Sequence, residues 1–145
     1  MKILTEENSL LRKKSQEIED ILSDDNKKLV EGMIKTMRKN KGIGLAAPQV
    51  GILKKIIVID TKDGPYVLAN PKIIKYSKEK EDAEEGCLSI PGKYNQVNRS
   101  QVIKYSGILE NGEKITKEEK GLFARVIQHE VDHLEGILFI DRVKK

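Results

Sequence analysis

The two histidines of this chain, His129 and His133, both lie in the short segment QHEVDHL, residues 128–134. On a helix, residues four apart project from one face, so both imidazoles can reach a single ion. Glu130, beside the first histidine, can reach a water molecule at that ion. The same pattern also occurs by chance in helices whose histidines are ordinary surface or core residues. Because it uses every histidine of the chain, it predicts a helix that carries a divalent metal site.

The residues around this segment predict the bounds of that helix. Thr116 and Glu119 have the spacing of a capping box, so we expect the helix to begin there. Gly136 is placed to end it, since glycine readily adopts the left-handed conformation that follows a helix. The apolar side of the helix is predicted to consist of Leu122, Phe123, Val126, Ile127 and Leu134.

A second amphipathic helix is predicted nearer the N-terminus. Ser23, followed by two aspartates, supplies N-cap chemistry. Asn40 and Gly42 are placed to end this helix. Its apolar residues recur at spacings of three and four, which makes one stripe of Leu29, Val30, Met33, Ile34 and Met37.

The segment between the two helices favours β-strands. Asn111-Gly112 lies between apolar residues and is the strongest hairpin signal in the chain. The mixed-charge run 78–85 is expected to be a solvated loop or a strand edge. Strands are predicted at residues 54–60, 66–69, 73–76 and 101–110. We therefore predict an α+β fold, with antiparallel sheets packed around the C-terminal H-E-x-x-H helix and an N-terminal helix.

Length and composition exclude several classes of protein. The 145 residues, 1–145, suit one catalytic domain with one core. A single cysteine rules out an internal disulfide and favours a reducing cytosol. Neither a signal-peptide core nor a membrane-spanning stretch is visible, so a cytoplasmic protein is expected. The net charge of +4 would favour RNA, but without a dense basic patch a solvated lysine surface is the simpler interpretation, and no DNA partner is expected.

The two histidines by themselves leave the predicted metal site incomplete. A catalytic site of this kind needs a third protein ligand and an open position for water. Only twelve residues follow His133, and none is a histidine, while Glu135 faces elsewhere on the helix. Cys87, in the segment EGCLS (85–89), is the best upstream candidate. Its alternative role, a buried and inert cysteine, stays open at this point.

The glycine-rich segment 42–51 needs a separate explanation. It contains G-x-G-x-x-A, but a dinucleotide fingerprint requires a preceding strand and a following helix. Here a helix precedes the segment and Pro48 opposes a new one. We therefore predict a loop whose bare backbone closely approaches another group. Gln49 is either an amide donor to a developing oxyanion or a group that stabilises the turn.

Three segments together, GIGLAAPQ (42–49), EGCLS (85–89) and QHEVDHL (128–134), resemble the peptide deformylase family in content and order. The resemblance implies removal of the formyl group from the N-terminal formylmethionine of nascent proteins, with release of formate. It also implies an α+β fold and one divalent metal ion. Iron(II) is the expected ion, and nickel, cobalt or zinc are alternatives at the same ligands.

The resemblance assigns a role to each matching residue. The implied metal ligands are Cys87, His129 and His133, and the implied general acid–base is Glu130. The implied oxyanion donors are Gln49 and the backbone N–H of Leu88. Gly44 is implied to contact the bound peptide, and the pocket for its methionine side chain is implied to include Ile43, Val126 and His129.

This chain departs from the family pattern in three places. Arg125 stands where many members have an apolar residue near the methionine pocket, and Tyr94 stands where some have an arginine near the entrance. The chain stops at Lys145, whereas some members continue into a longer helix that touches the ribosome. A direct ribosome contact through such a helix is therefore not expected. The expected protein is a monomer that works in transient proximity to the ribosome and does not contact a membrane.

Two other functions fit parts of the pattern. A small metalloprotease or amidase of different specificity would use the same helix motif. A metal-stabilised binding protein would use the ligands but would not need Glu130 together with Gln49.

Overall fold

The computed structural model describes residues 1–143, which form two α-helices and seven β-strands. Strands β1, β2, β3, β6 and β7 form one sheet in the order β1-β2-β3-β6-β7, and β4 and β5 form a second sheet. Every strand pair is antiparallel, which confirms the predicted α+β fold. The elements are α1 (Asp24–Lys39), β1 (Gly44–Ala46), β2 (Ile56–Thr61), β3 (Gly64–Tyr76), β4 (Lys80–Cys87), β5 (Ile90–Ser100), β6 (Val102–Leu109), β7 (Lys114–Lys120) and α2 (Gly121–Leu134).

Helix α1 forms as its sequence predicts. The Ser23 side chain accepts a hydrogen bond from the backbone N–H of Asn26 at 3.3 Å, and Asn40 follows the last helical residue. Burial of the apolar stripe holds the helix against one face of the larger sheet. That core consists mainly of Leu29, Val30, Met33 and Met37 from the helix and Ile56, Val58, Val67 and Ala69 from the sheet.

Helix α2 packs on the opposite face of the same sheet. Side chains of a strand alternate between its two faces. Ile56 and Val58 of β2 therefore pack toward α1, while Ile57 and Ile59 pack in the core that contains α2. Burial on both faces explains the continuous apolar run in β2, and it places α2 in the molecular interior.

Helix α2 begins later than the sequence predicted. Thr116 and Glu119 do not cap a helix, because they belong to β7 and pair with Ser106 and Ile103 of β6. Extending the β6–β7 hairpin satisfies the backbone along the whole segment, which outweighs the local capping signal. The predicted end is correct, since Gly136 has a positive φ of 77° just after the helix.

Other expectations are confirmed or corrected by the strand pairing. Asn111-Gly112 does connect β6 to β7. The predicted strands 66–69 and 73–76 are parts of one irregular strand, β3. The run 78–85 is largely strand β4. Strand β5 was missed, since most of its residues are exposed and give no apolar pattern.

The β4–β5 sheet is held to the body by a third apolar cluster. The cluster contains Leu11, Ile90, Val97, Leu138 and Phe139. It joins the hairpin to the segment that follows α2, and so fixes the end of β4 close to that helix. No helix within residues 1–143 is long and apolar enough to cross a membrane.

Candidate active site

Cys87, at the end of β4, meets the two histidines of α2. The candidate ligand atoms of Cys87, His129 and His133 all lie within 4.8 Å of one another. The Cys87 sulfur is 3.3 Å from Nε2 of His133. One thiolate and two imidazoles suit zinc, iron, nickel or cobalt, and three protein ligands leave a position for water. This donor set therefore fits a catalytic divalent ion.

Glu85 orients the first of these histidines. Nδ1 of His129 lies 2.9 Å from Oε1 of Glu85 and donates to it, which leaves Nε2 free to face an ion. Burial alone raises the pKa of Glu85, but hydrogen bonds from His129 and Arg99 outweigh it and lower the pKa to about 2. Glu85 is therefore a buried anion behind the site. Sequence reasoning did not assign it a role, although it lies within the EGCLS segment.

Arg99 extends this arrangement into an ion network. Its Nε and Nη2 donate to the two oxygens of Glu85 at 2.6 and 2.9 Å, and its Nη1 donates to Asp132 at 2.9 Å. Asp132 also accepts from Nε and Nη2 of Arg142, both at 3.1 Å. The network joins β4, β5, α2 and the segment after α2. No local pattern around Arg99 signalled this role.

The surroundings of the two histidines shift their pKa values in opposite directions. Burial lowers the pKa of His129, but Glu130, Cys87 and Glu85 together outweigh that effect and raise it to about 10. Burial and the neighbouring His129 hold the pKa of His133 well below its ordinary value. A ligand nitrogen binds a metal ion only without its proton, so a bound ion would oppose protonation of both rings.

Glu130 is buried beside the candidate metal ligands. Within residues 1–143 its Oε1 has no hydrogen-bond partner, which leaves an acceptor for a water molecule or substrate. Burial raises the pKa of the carboxyl to about 7, although the charges of His129 and Arg99 oppose the shift. A carboxyl with this pKa can both take and return a proton near neutral pH.

The two interpretations of Gln49 turn out to be compatible. Its carbonyl oxygen accepts from the backbone N–H of Ala46 at 2.9 Å and so stabilises the turn. Its amide nitrogen donates to Ser89 Oγ at 3.1 Å and lies 3.4 Å from the Cys87 sulfur. The turn therefore aims an N–H donor into the site.

A cleft of about 490 Å³ opens over these groups. Its rim contains three exposed residues, Ile43, Tyr94 and Leu122, which are 54%, 64% and 67% exposed. Leu122, which was predicted on the apolar side of the helix, is therefore exposed at the cleft and not buried with Ile127 and Leu134. The cleft wall includes the predicted residues Ile43, Gly44, Gln49, Cys87, Leu88, Val126, His129 and Glu130, together with Arg125 and Tyr94. His133 is buried and is absent from this wall.

The predicted close approach of the glycine-rich loop occurs at Gly44. A Cβ atom there would lie 2.6 Å from Oε2 of Glu130 and 3.1 Å from a methyl group of Val126. Only glycine lets the backbone of β1 lie this close to the carboxylate. The donor set, the adjacent carboxyl group and the cleft define this protein as a metal-dependent hydrolase.

Comparison with known proteins identifies the family. The polypeptide deformylase family model matches residues 1–145. The chain is 50% identical to peptide deformylase 1 of Clostridium perfringens over 137 residues, 93% of this chain and 92% of that protein. The chain therefore belongs to the peptide deformylase family, and the resemblance stated from its three motifs is confirmed.

Solved structures agree with this assignment. The crystal structure of peptide deformylase from Thermotoga maritima has a TM-score of 0.95 and 42% identity, covering 99% of this chain and 97% of that one. The peptide deformylase of Synechococcus elongatus, solved in complex with actinonin, has a TM-score of 0.96 and 43% identity. That match covers 100% of this chain and 79% of the other.

Proposed function

We propose that the protein removes the formyl group from formylmethionine with a divalent ion held by Cys87, His129 and His133. As a member of its family, it is a metal-dependent hydrolase that acts on the N-terminal formylmethionine of nascent proteins. The observation that carries the ligand assignment is the convergence of one sulfur and two imidazoles within 4.8 Å. The buried carboxyl of Glu130 beside them supports a hydrolytic role.

Glu130 is the proposed general base and general acid. A divalent ion held by Cys87, His129 and His133 would lower the pKa of a water molecule and polarise the formyl carbonyl. Glu130 takes the proton of the attacking water and then delivers it to the leaving amine nitrogen, so that formate departs. The free Oε1 and the pKa of about 7 support both transfers.

Gln49 and the backbone N–H of Leu88 are the proposed oxyanion donors. The carbonyl of Gln49 is tied to the Ala46 N–H, so its amide group cannot easily turn away from Cys87. Leu88 directly follows Cys87 and lines the same cleft. Loss of one such donor typically lowers kcat about 100- to 1,000-fold.

The cleft wall provides the proposed substrate contacts. The backbone of Gly44 is assigned to the bound peptide. Ile43, Val126 and His129 are assigned to the methionine side chain. All four residues line the cleft, and the exposed position of Ile43 at its rim suits contact with an incoming peptide.

Iron(II) is the proposed physiological ion, with nickel, cobalt or zinc able to use the same donors. Residues 1–145 are taken as one catalytic domain of a monomeric, cytoplasmic protein. The lone cysteine, Cys87, supports a reducing compartment. The proposed substrates are formylmethionyl nascent peptides, so the enzyme is expected to work transiently near the ribosome. Neither DNA nor a membrane is a proposed partner.

The decisive experiment combines turnover and metal analysis on one anaerobic sample. Formate release from formyl-Met-Ala-Ser is measured beside cleavage of the same peptide without its formyl group. We expect formate only from the first peptide, in proportion to bound metal. Chelation should abolish turnover while circular dichroism stays native. Cleavage within the unblocked peptide would instead indicate a protease, and turnover without metal would remove the ligand proposal.

A further inference from the structure

Arg125 lies on α2, four residues before His129, and makes a set of contacts that the chemistry above does not use. Its side chain is 11% exposed, although the residue borders the cleft. Nη1 donates to Oε2 of Glu85 at 2.5 Å and to the carbonyl of Val97 at 3.0 Å. Nη2 donates to the carbonyl of Glu81 at 2.7 Å. The guanidinium is thus directed at the β4–β5 sheet.

These contacts complete the surroundings of Glu85. Its Oε1 accepts from His129 Nδ1 and Arg99 Nη2, and its Oε2 accepts from Arg99 Nε and Arg125 Nη1. Each carboxylate oxygen therefore has two donors, which fixes the plane of the group. Hydrogen bonds that hold the partner of a metal-binding histidine set the orientation and basicity of that histidine.

The two arginines hold Glu85 from different elements. Arg99 belongs to β5, the partner strand of β4, and it is shared with Asp132. Arg125 belongs to the same helix as His129, and residues four apart lie on one helical face. Arg125 therefore fixes Glu85 relative to the helix that carries both imidazoles.

The two carbonyl contacts have a further structural effect. Glu81 is in β4 and Val97 is in β5, so one guanidinium bonds to both strands of the hairpin. Strand β4 ends at Cys87. Arg125 therefore ties the strand that delivers the sulfur to the helix that delivers the imidazoles.

We propose that Arg125 is a positioning residue, which holds Glu85 against His129 and keeps Cys87 in register with α2. It acts through these groups and not by contact with the substrate, although the residue borders the cleft. The inference rests on the proposed function for the ligand roles of Cys87 and His129. The positioning of the hairpin itself does not depend on those roles.

Arg125→Met is the main test, because methionine keeps an apolar stem and removes every N–H donor. Arg125→Lys keeps the charge but lacks the planar fork, so it should recover only part of the effect. Arg38→Met is the matched control. Arg38 is an exposed arginine of α1, and its guanidinium lies 3.2 Å from the carboxylate of Asp60 in β2.

The first readout is the metal. In cobalt-loaded protein, we expect Arg125→Met to shift the visible absorption bands of the ion. We also expect its metal affinity and kcat to fall roughly 10- to 100-fold, with a smaller change in KM. Arg38→Met should match the wild type. Unchanged bands and kcat, with a raised KM alone, would make Arg125 a substrate-binding group and overturn the proposal.

The second readout does not need metal or turnover. Cys87 is the only cysteine, so its alkylation rate in chelator-treated protein reports the position of the end of β4. We expect Arg125→Met to raise this rate roughly tenfold or more, because the variant loses the hydrogen bond to the charged Glu85 and both carbonyl contacts, and loss of the first alone has about that effect. If Arg125→Met does not fold, the same measurement is made on Arg125→Lys. An alkylation rate equal to that of Arg38→Met would overturn the positioning role even if the proposed ligands are correct.

Discussion

Helices α1 and α2 lie on opposite faces of one sheet, yet they bury different chemistry. Helix α1 buries mainly an apolar stripe that includes Met33 and Met37. Helix α2 buries His129, Glu130 and His133 beside its apolar residues. Apolar burial stabilises a fold directly, whereas a buried polar group is tolerated only when partners from elsewhere satisfy it. The comparison separates a helix that mainly supports the fold from one that carries the candidate catalytic residues.

Buried polar side chains of α2 have partners outside the helix. Glu85 accepts from His129, and the carbonyl of Ser100 accepts from the Gln128 amide at 2.9 Å. Nδ1 of His133 and Oε1 of Glu130 lack a partner in the part of the chain that the structure describes. Buried polar groups without partners lower the stability of a fold. Substitutions of polar residues in α2 should therefore change the free energy of unfolding differently from substitutions of apolar residues in α1.

The largest effect is expected from Glu130→Gln. Loss of the proton acceptor should lower the rate of formate release about 100- to 10,000-fold. Metal content should stay normal, and the melting temperature should not fall, because a buried carboxyl is replaced by a neutral amide. Glu135→Gln is the matched control, since Glu135 lies just beyond the same helix and is partly exposed. Formate release near the wild-type rate would remove Glu130 from the mechanism.

Met33→Ala tests the opposite case in α1. Met33 is completely buried, so the cavity should lower the free energy of unfolding by about 2–5 kcal/mol. The kcat of the folded fraction should be unchanged. Urea unfolding and formate assays check the two parts. Lys35→Ala, at an exposed position of the same helix, is the control. A large fall in kcat with intact stability would contradict the separation of roles.

A pair of glycine substitutions sharpens the comparison. Gly44→Ala should displace the Glu130 carboxylate, because the added Cβ would lie 2.6 Å from its Oε2. A displacement of about 1 Å at a catalytic group can lower kcat about 100-fold. Gly32→Ala in α1 meets only the flexible, exposed side chain of Met1, and alanine favours a helix by up to about 1 kcal/mol. Kinetics and thermal unfolding of both variants test this contrast. Equal activity in the two variants would show that the close approach at Gly44 is unimportant.

Ser23→Ala should have the smallest effect. Removing the N-cap acceptor of α1 should lower the free energy of unfolding by about 1 kcal/mol and leave kcat unchanged. Ser23→Asp restores a capping oxygen and should recover most of the loss. Urea unfolding measures both. A cost equal to that of Met33→Ala would mean that the cap, and not apolar burial, dominates the stability of α1.

Several elements were predictable because their signals are local. The cap at Ser23, the apolar stripe of α1 and the Asn111-Gly112 turn each depend on residues close in sequence. The beginning of α2 was predicted wrongly for the opposite reason. Thr116 forms a local capping pattern, but its pairing with Ser106 of β6 decides that it lies in a strand.

The sequence limits the donors of the candidate metal site, since it contains one cysteine and two histidines and the H-E-x-x-H spacing puts both imidazoles on one helical face. Tertiary structure alone decided what surrounds those donors. Glu85, Arg99 and Arg125 lie in different elements and carry no mutual spacing signal, yet they meet behind His129. The physical reason is that side-chain type is encoded locally, whereas the distance between charges depends on how the β4–β5 sheet docks on α2.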